Sequence, residues 1–188
     1  VDVESGGCVG TVGGASNVTT TIVSILENTT DPLCNGESSG SITVTGDGGT
    51  SPYTYSWSDP ALSGNVLTDL PSGTYDVTVI DANGCEETSS ITLNEPPALS
   101  VSVGTPPPID CSNPTSSVDA TGSGGTPAYT YNWSNGDVGS TLTTSIAGTY
   151  IVTVTDINGC ENQTSVTIVD NSLPPPDATI SGSGVICP

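Results

Sequence analysis

The chain has no lysine, arginine, histidine, methionine or phenylalanine, yet it carries 20 acidic residues, so its formal net charge is −20. Each absence removes a kind of chemistry. Without histidine or lysine there is no Ser-His-Asp triad, no imidazole acid or base and no Schiff-base lysine. Without a cation there is no electrostatic footprint for phosphate, which excludes nucleic acid as a partner. Attraction to anionic lipid headgroups fails for the same reason, and no apolar run approaches the roughly 20 residues that span a bilayer, so direct membrane insertion is not expected. A pair of carboxylates acting on a glycosidic bond is the catalytic option that survives. Nothing in the sequence singles out such a pair, so no catalytic residue, no cofactor and no enzyme is expected.

What is present is glycine (23), proline (15) and much serine and threonine, with 33% apolar residues. The glycine, the proline and the acidic charge would suit a disordered chain. The apolar residues argue otherwise, because they fall in short alternating runs of Val, Ile, Thr, Tyr and Trp separated by Gly/Pro clusters. The expectation is a folded all-β protein.

The runs repeat. Gly73-Thr74-Tyr75-Asp76-Val77-Thr78-Val79-Ile80-Asp81-Ala82-Asn83-Gly84-Cys85 returns as Gly148-Thr149-Tyr150-Ile151-Val152-Thr153-Val154-Thr155-Asp156-Ile157-Asn158-Gly159-Cys160. Both copies read as a strand entering an Asn-Gly hairpin. Gly48-Gly49-Thr50 returns as Gly124-Gly125-Thr126, and Tyr53 to Ser58 returns as Tyr129 to Ser134. Cys8, Cys85 and Cys160 form one periodic series and Cys34, Cys111 and Cys187 another. A period of about 76 residues is too long for a solenoid coil and fits a string of small domains. The chain has no initiating methionine, and Val1 to Cys8 looks like the end of a further copy, so a window within a longer chain is expected.

Four segments follow: 1–20, the last strands of a preceding repeat; 21–95 and 96–170, two complete β-sandwich repeats; and 171–188, a linker and the first strand of a following repeat. The expected fold is a linear string of tandem immunoglobulin-like (PKD-like) β-sandwiches. Predicted strands cover 21–26, 41–45, 53–58, 65–68 and 88–93 in the first repeat, with a further strand entered at the Leu70 to Tyr75 corner, and counterparts in the second. Alternation puts Ile42, Val44, Tyr55, Trp57, Tyr75, Val77, Val79, Ile91 and Leu93 in the first core. Tyr131, Trp133 and Tyr150 are the aromatic counterparts in the second. The Gly-Thr-Tyr at 73–75 resembles the tyrosine corner of immunoglobulin-like sandwiches. Prolines at 96–97 and 174–176 make short, semi-rigid joints.

Domains of about 75 residues bury too little to be secure alone, and a covalent staple is expected. Six cysteines without histidine or a Cys-x-x-Cys pair read as disulfides rather than zinc ligands. Two pairings are open. The first joins cysteines within a repeat, Cys34 with Cys85 and Cys111 with Cys160. The second bridges the joint, Cys34 with Cys160. The loops at Asp81, Asn83, Asp156 and Asn158 invite a calcium reading, against which stands the demand of the turn itself for Asp and Asn. The alternating aromatics invite a sugar-stacking reading, against which stands their burial between sheets. Asn-x-Ser/Thr sequons occur at Asn17, Asn28, Asn132 and Asn162 and are weak signals in a chain so rich in serine and threonine.

Three assembled stretches resemble the SprB repeat family: Cys-Asn-Gly-Glu-Ser-Ser-Gly-Ser-Ile-Thr-Val from Cys34, Gly-Gly-Thr-Ser-Pro-Tyr-Thr-Tyr-Ser-Trp-Ser from Gly48, and Leu-Pro-Ser-Gly-Thr-Tyr-Asp-Val-Thr-Val-Ile-Asp-Ala-Asn-Gly-Cys from Leu70. The second copy departs from the pattern at Cys111-Ser112-Asn113-Pro114. The resemblance implies a very large surface adhesin of gliding Bacteroidetes, exported by the type IX secretion system and displayed as an extracellular filament anchored at the outer membrane. Implied partners are neighbouring repeats of the same chain, the outer-membrane motility and secretion machinery, and a surface polysaccharide or substratum. The expected role is a structural shaft segment serving surface attachment and gliding. The alternative is a carbohydrate-binding or accessory module of a secreted multidomain protein.

Overall fold

A computed structural model describes residues 23–172. The expectations for 1–20 and for 173–188 lie outside those residues. The chain divides into two compact units, Val1–Glu95 and Pro96–Pro188. Among the described residues there are twelve strands and no helix.

In the first unit β1 (Ser24–Thr30), β2 (Gly40–Asp47) and β4 (Val66–Leu70) form one antiparallel sheet in the order β1-β2-β4. The other sheet takes β3 (Thr54–Trp57), β5 (Gly73–Ile80) and β6 (Glu86–Leu93) in the order β3-β5-β6. Period-two alternation turns Ile42 and Val44 of β2 and Val77 and Val79 of β5 inward, where all four are at most 1% exposed. Trp57, Leu67, Leu70, Ile91 and Leu93 complete that core. This is a six-stranded immunoglobulin-like sandwich, its two sheets held together by apolar side chains.

The second unit repeats the plan. Its strands are β7 (Ser100–Val103), β8 (Ser116–Ser123), β9 (Thr130–Trp133), β10 (Thr141–Thr144), β11 (Gly148–Thr155) and β12 (Glu161–Ile168). They pair as β10-β8-β7 and β12-β11-β9. Val118, Ala120, Trp133, Leu142, Tyr150, Val152 and Ile168 fill the core between them.

Three sequence expectations are refined. The first strand is Ser24–Thr30 rather than 21–26, because Ser41 to Val44 of β2 offer partners to the polar residues Glu27 to Thr30. The Asn-Gly pairs do not make two-residue hairpin turns. The last β5–β6 pair is Ile80 with Glu86, which leaves a five-residue loop, Asp81 to Cys85. The aromatic core is also uneven: Trp57, Trp133 and Tyr150 are buried, whereas Tyr55, Tyr75 and Tyr131 are half-buried. The hydroxyls of the half-buried rings bond backbone groups. Tyr55 Oη accepts from Gly46 N and Tyr131 Oη from Gly122 N, at 3.3 and 2.9 Å.

The tyrosine corner is present in both units. Tyr75 Oη donates to Pro71 O at 2.7 Å, and Tyr150 Oη donates to Ile146 O at 2.8 Å. Tyr150→Phe keeps the ring and deletes that bond, so it should destabilise the second unit by about 1 kcal/mol. Chemical denaturation of the full chain, followed through Trp133, would show the transition moving to lower denaturant.

Candidate functional site

The loop closing each β5-type hairpin is built on one carboxylate. Asp81 Oδ1 accepts the backbone N–H of Asn83 at 2.8 Å and that of Cys85 at 2.9 Å, and Oδ2 accepts the N–H of Thr50 at 2.9 Å. The backbone reinforces the arrangement: Asp81 N donates to Cys85 O, Gly84 N to Asp81 O and Ala82 N to Thr50 O. Asn83 Nδ2 then reaches across to Thr50 Oγ1 at 2.8 Å. The second unit matches bond for bond. Asp156 Oδ1 holds Asn158 N and Cys160 N, Oδ2 holds Thr126 N, and Asn158 Nδ2 donates to Thr126 Oγ1.

Both aspartates are buried, at 5% exposure. A buried charge needs compensation, and in this chain without cationic side chains backbone N–H groups supply it. The donated N–H bonds hold both carboxyls below the usual aspartate range, chiefly the bond from Cys85 for Asp81 and the bond from Thr126 for Asp156. The close approach also explains the Gly-Gly-Thr motif. A Cβ on Gly49 would lie 2.7 Å from Asp81 Oδ2, and one on Gly125 would lie 2.6 Å from Asp156 Oδ2. Both glycines have positive φ, 59° and 56°.

Of the four residues weighed as calcium ligands, Asp81 and Asp156 accept backbone N–H groups, and Asn83 and Asn158 donate to those carboxylates and to a threonine hydroxyl. Among the described residues no three Asp, Glu, Cys or His side chains are grouped as a metal site. The arrangement can fix the position of one cysteine in each unit, Cys85 or Cys160, directly after the Asn-Gly pair.

The other cysteine series lies at the opposite end. Glu95 follows β6, and its carboxylate accepts Asn35 Nδ2 at 2.9 Å and Gly36 N at 2.7 Å, pinning the turn that begins at Cys34. Where the second unit departs from the sequence pattern, a different carboxylate does the work. Asp110 Oδ1 accepts Ser112 N at 2.8 Å and Asn113 N at 2.7 Å, so the turn at Cys111 is held by its own preceding residue. Ile109 ties that turn to the strand end, its N–H donating to Val169 O and its carbonyl accepting from Asn171 N.

Each unit therefore has an N-terminal pole and a C-terminal pole. Val23, at the head of β1, would touch a Cβ on Gly49 at 2.8 Å, which puts the incoming chain beside the Asp81 loop and Cys85. The chain leaves past Leu93 and Glu95, beside Cys34. In the second unit Asn162 Nδ2 donates to Leu99 O and Gly125 N donates to Pro97 O, so the incoming chain lies beside Cys160. It leaves beside Cys111. Between the poles β5 runs from Gly73, paired with Leu93, to Ile80, paired with Glu86. Eight strand residues span about 23 Å, whereas a disulfide needs Cα atoms within about 7 Å. That separation does not fit the in-repeat pairings Cys34 with Cys85 and Cys111 with Cys160. All four of these cysteines are nevertheless disulfide-bonded.

The two tryptophans are not available as a stacking platform of the kind a sugar needs. Trp57 Nε1 donates to Gly64 O and Trp133 Nε1 to Gly139 O, at 2.9 and 3.0 Å, with both indoles in the cores. The ring of Tyr53 lies over Gly46. Of the rings that alternation assigned to the cores, Trp57, Trp133 and Tyr150 are buried and Tyr55, Tyr75 and Tyr131 are half-buried. Sequence reasoning missed the link between Gly-Gly-Thr and the Asp-x-Asn-Gly-Cys loop, although both motifs recur together in each repeat.

The sequence profile of the SprB repeat matches residues 26–62 and 100–138. No curated protein matches the chain. Among solved structures, the N-terminal eight Ig domains of Down Syndrome Cell Adhesion Molecule (DSCAM) isoform 1.30.30 are similar at 17% identity and a TM-score of 0.36, over 81% of this chain and 24% of that one. The amphioxus IgVJ-C2 molecule is similar at 16% identity and a TM-score of 0.30, over 79% of this chain and 97% of that one. The chain thus spans about a quarter of the length of the DSCAM fragment it matches.

The two aspartates make stability depend on pH with a definite sign. A carboxyl whose folded pKa lies below its unfolded value, about 3.9, stabilises the fold fully above that value and loses the contribution as pH falls through the folded pKa. Melting temperature by circular dichroism should therefore fall as pH drops below about 4. The double variant Asp81→Asn, Asp156→Asn should melt lower at neutral pH and lose most of that acid slope.

Proposed function

We propose that this chain, which carries two SprB repeats, is a segment of the structural shaft of a large extracellular adhesin filament that serves surface attachment and gliding. The observation that carries the proposal is the polarity of each unit: the chain enters at one pole and leaves at the other, and both units repeat this. Such a unit adds length with every copy and needs no site of its own. The charge of −20, with no cation to attract another chain's carboxylates, opposes lateral aggregation of neighbouring filaments. The same absence leaves no residue after which trypsin cleaves.

In this reading the chain is no enzyme, requires no cofactor, and is displayed at the surface of a bacterium after type IX export. Its partners are the adjoining repeats, the outer-membrane machinery that exports and drives the filament, and a polysaccharide or substratum met elsewhere along the filament. The family resemblance supports the surface location, and the burial of Trp57 and Trp133 speaks against a sugar-stacking module.

Antibodies against the purified chain test this directly on intact gliding cells. The expected outcome is surface labelling, with antibody-coated beads carried along the cell body. Labelling that appears only after the cells are lysed would contradict it.

A further inference from the structure

Four Asn-Gly pairs occur in the chain, at 35–36, 83–84, 135–136 and 158–159. The dipeptide carries a chemistry of its own. The glycine backbone nitrogen attacks the asparagine side-chain carbonyl carbon, and glycine has no Cβ to hinder the approach. We infer that Asn135-Gly136 is a site of spontaneous covalent modification, at which the asparagine amide is lost to water while the folded chain holds the other three pairs intact.

The reaction balances with water as the one co-reactant. Gly136 N forms a bond to Asn135 Cγ and gives its proton to water. The Cγ–Nδ2 bond breaks, and that nitrogen takes up a proton and leaves as ammonia. One water then opens the five-membered imide at either carbonyl, which gives aspartate or isoaspartate at residue 135.

Cyclisation needs a released amide and a released glycine nitrogen. At three pairs the amide is tied to chain remote in sequence. Asn83 Nδ2 donates to Thr50 Oγ1 at 2.8 Å and Asn158 Nδ2 to Thr126 Oγ1 at 3.1 Å. Their backbone N–H groups also bond the buried carboxylates of Asp81 and Asp156. At the third pair Glu95 holds both atoms, accepting from Asn35 Nδ2 and Gly36 N.

The bonds of Asn135-Gly136 close within their own turn. Asn135 Nδ2 donates to Asp137 Oδ2 at 2.8 Å, and Asn135 Oδ1 accepts Asp137 N at 3.2 Å. Gly136 N donates to Trp133 O at 2.9 Å. This turn is the tip of the hairpin that follows β9 and closes on the bridge of Asn132 with Val138. Residues 134–138 are exposed, and a Cβ on Gly136 would meet nothing within 4 Å. Fraying of the tip therefore frees both atoms in one local opening and leaves the core packing in place. The turn itself demands the labile pair, since Gly136 has a φ of 94°. The corresponding loop of the first unit, Asp59-Pro60-Ala61-Leu62-Ser63-Gly64, has no Asn-Gly. The product sets a carboxylate at residue 135 against Asp137 in place of the amide that now bonds it, and the like charges repel. The modification loosens this tip without touching the clasps of Asp81, Asp156 or Glu95, and it does not depend on the adhesin reading.

Cleavage before aspartate puts the four pairs in different fragments: 31–46, 81–109, 119–136 and 156–169. The full chain is kept folded at mildly alkaline pH, sampled over weeks, then reduced, digested and read by mass spectrometry. Fragment 119–136 should turn from amide to acid about tenfold faster than each of the others, the factor of one further hydrogen bond to be broken. Conversion registers as a gain in mass or as a new cut before residue 135. Sequencing of the fragment should place the change at residue 135. In the chain unfolded by urea all four pairs should convert at similar rates. Conversion of 31–46, 81–109 or 156–169 as fast as 119–136 in the folded chain would overturn the inference, as would a change located at Asn132. The same lead for 119–136 in the unfolded chain would overturn it too, because the fold would then play no part.

Discussion

One buried carboxylate in each unit ties together stretches of chain that are remote in sequence. Asp81 draws in Thr50, from the turn after β2, and the two residues Asn83 and Cys85 of its own loop. The backbone donors of those loops would otherwise be left without partners at the end of the sandwich. The carboxylate in turn has no cation available anywhere in the chain. Donors and acceptor thus satisfy one another, and the result is a firm cap on the N-terminal pole from which Cys85 projects. Asp156 builds the same cap around Cys160.

The missing cations impose the same solution elsewhere. Glu95 holds the turn of Cys34, Asp110 holds the turn of Cys111, Asp31 accepts Asn94 N, and Asp119 accepts Thr141 Oγ1. Acidic side chains act throughout as acceptors for local N–H and O–H groups, where another protein would use ion pairs. Carboxylates left over face water and add to the negative surface. Stability is then supplied by apolar burial in two small cores and by these local clasps.

Much of this was legible in the residues. Alternation around Trp57 and Trp133 predicted burial, and Gly-Thr-Tyr predicted the corner bond of Tyr75 and Tyr150, because both patterns are local. Spacing alone left two disulfide pairings open, and what it could not show is that the length of β5 separates the poles that carry Cys34 and Cys85. The Asp81–Thr50 link was not legible, since it joins residues 31 positions apart and each motif has a sufficient local excuse as a turn. The edge strand β1 was misplaced for a related reason. Its pairing is dictated by the length of β2, while its own residues from Glu27 to Thr30 are polar and exposed.

Amide hydrogen exchange tests the central role of the carboxylates most directly. At neutral pH the N–H groups of Thr50, Asn83 and Cys85 should be protected like those of the neighbouring strands β5 and β6, although all three lie in loops. In Asp81→Asn all three should lose protection together, while Thr126, Asn158 and Cys160 in the other unit keep theirs. Exchange of Thr50, Asn83 and Cys85 at the rate of open loop residues in the unaltered chain would contradict the account.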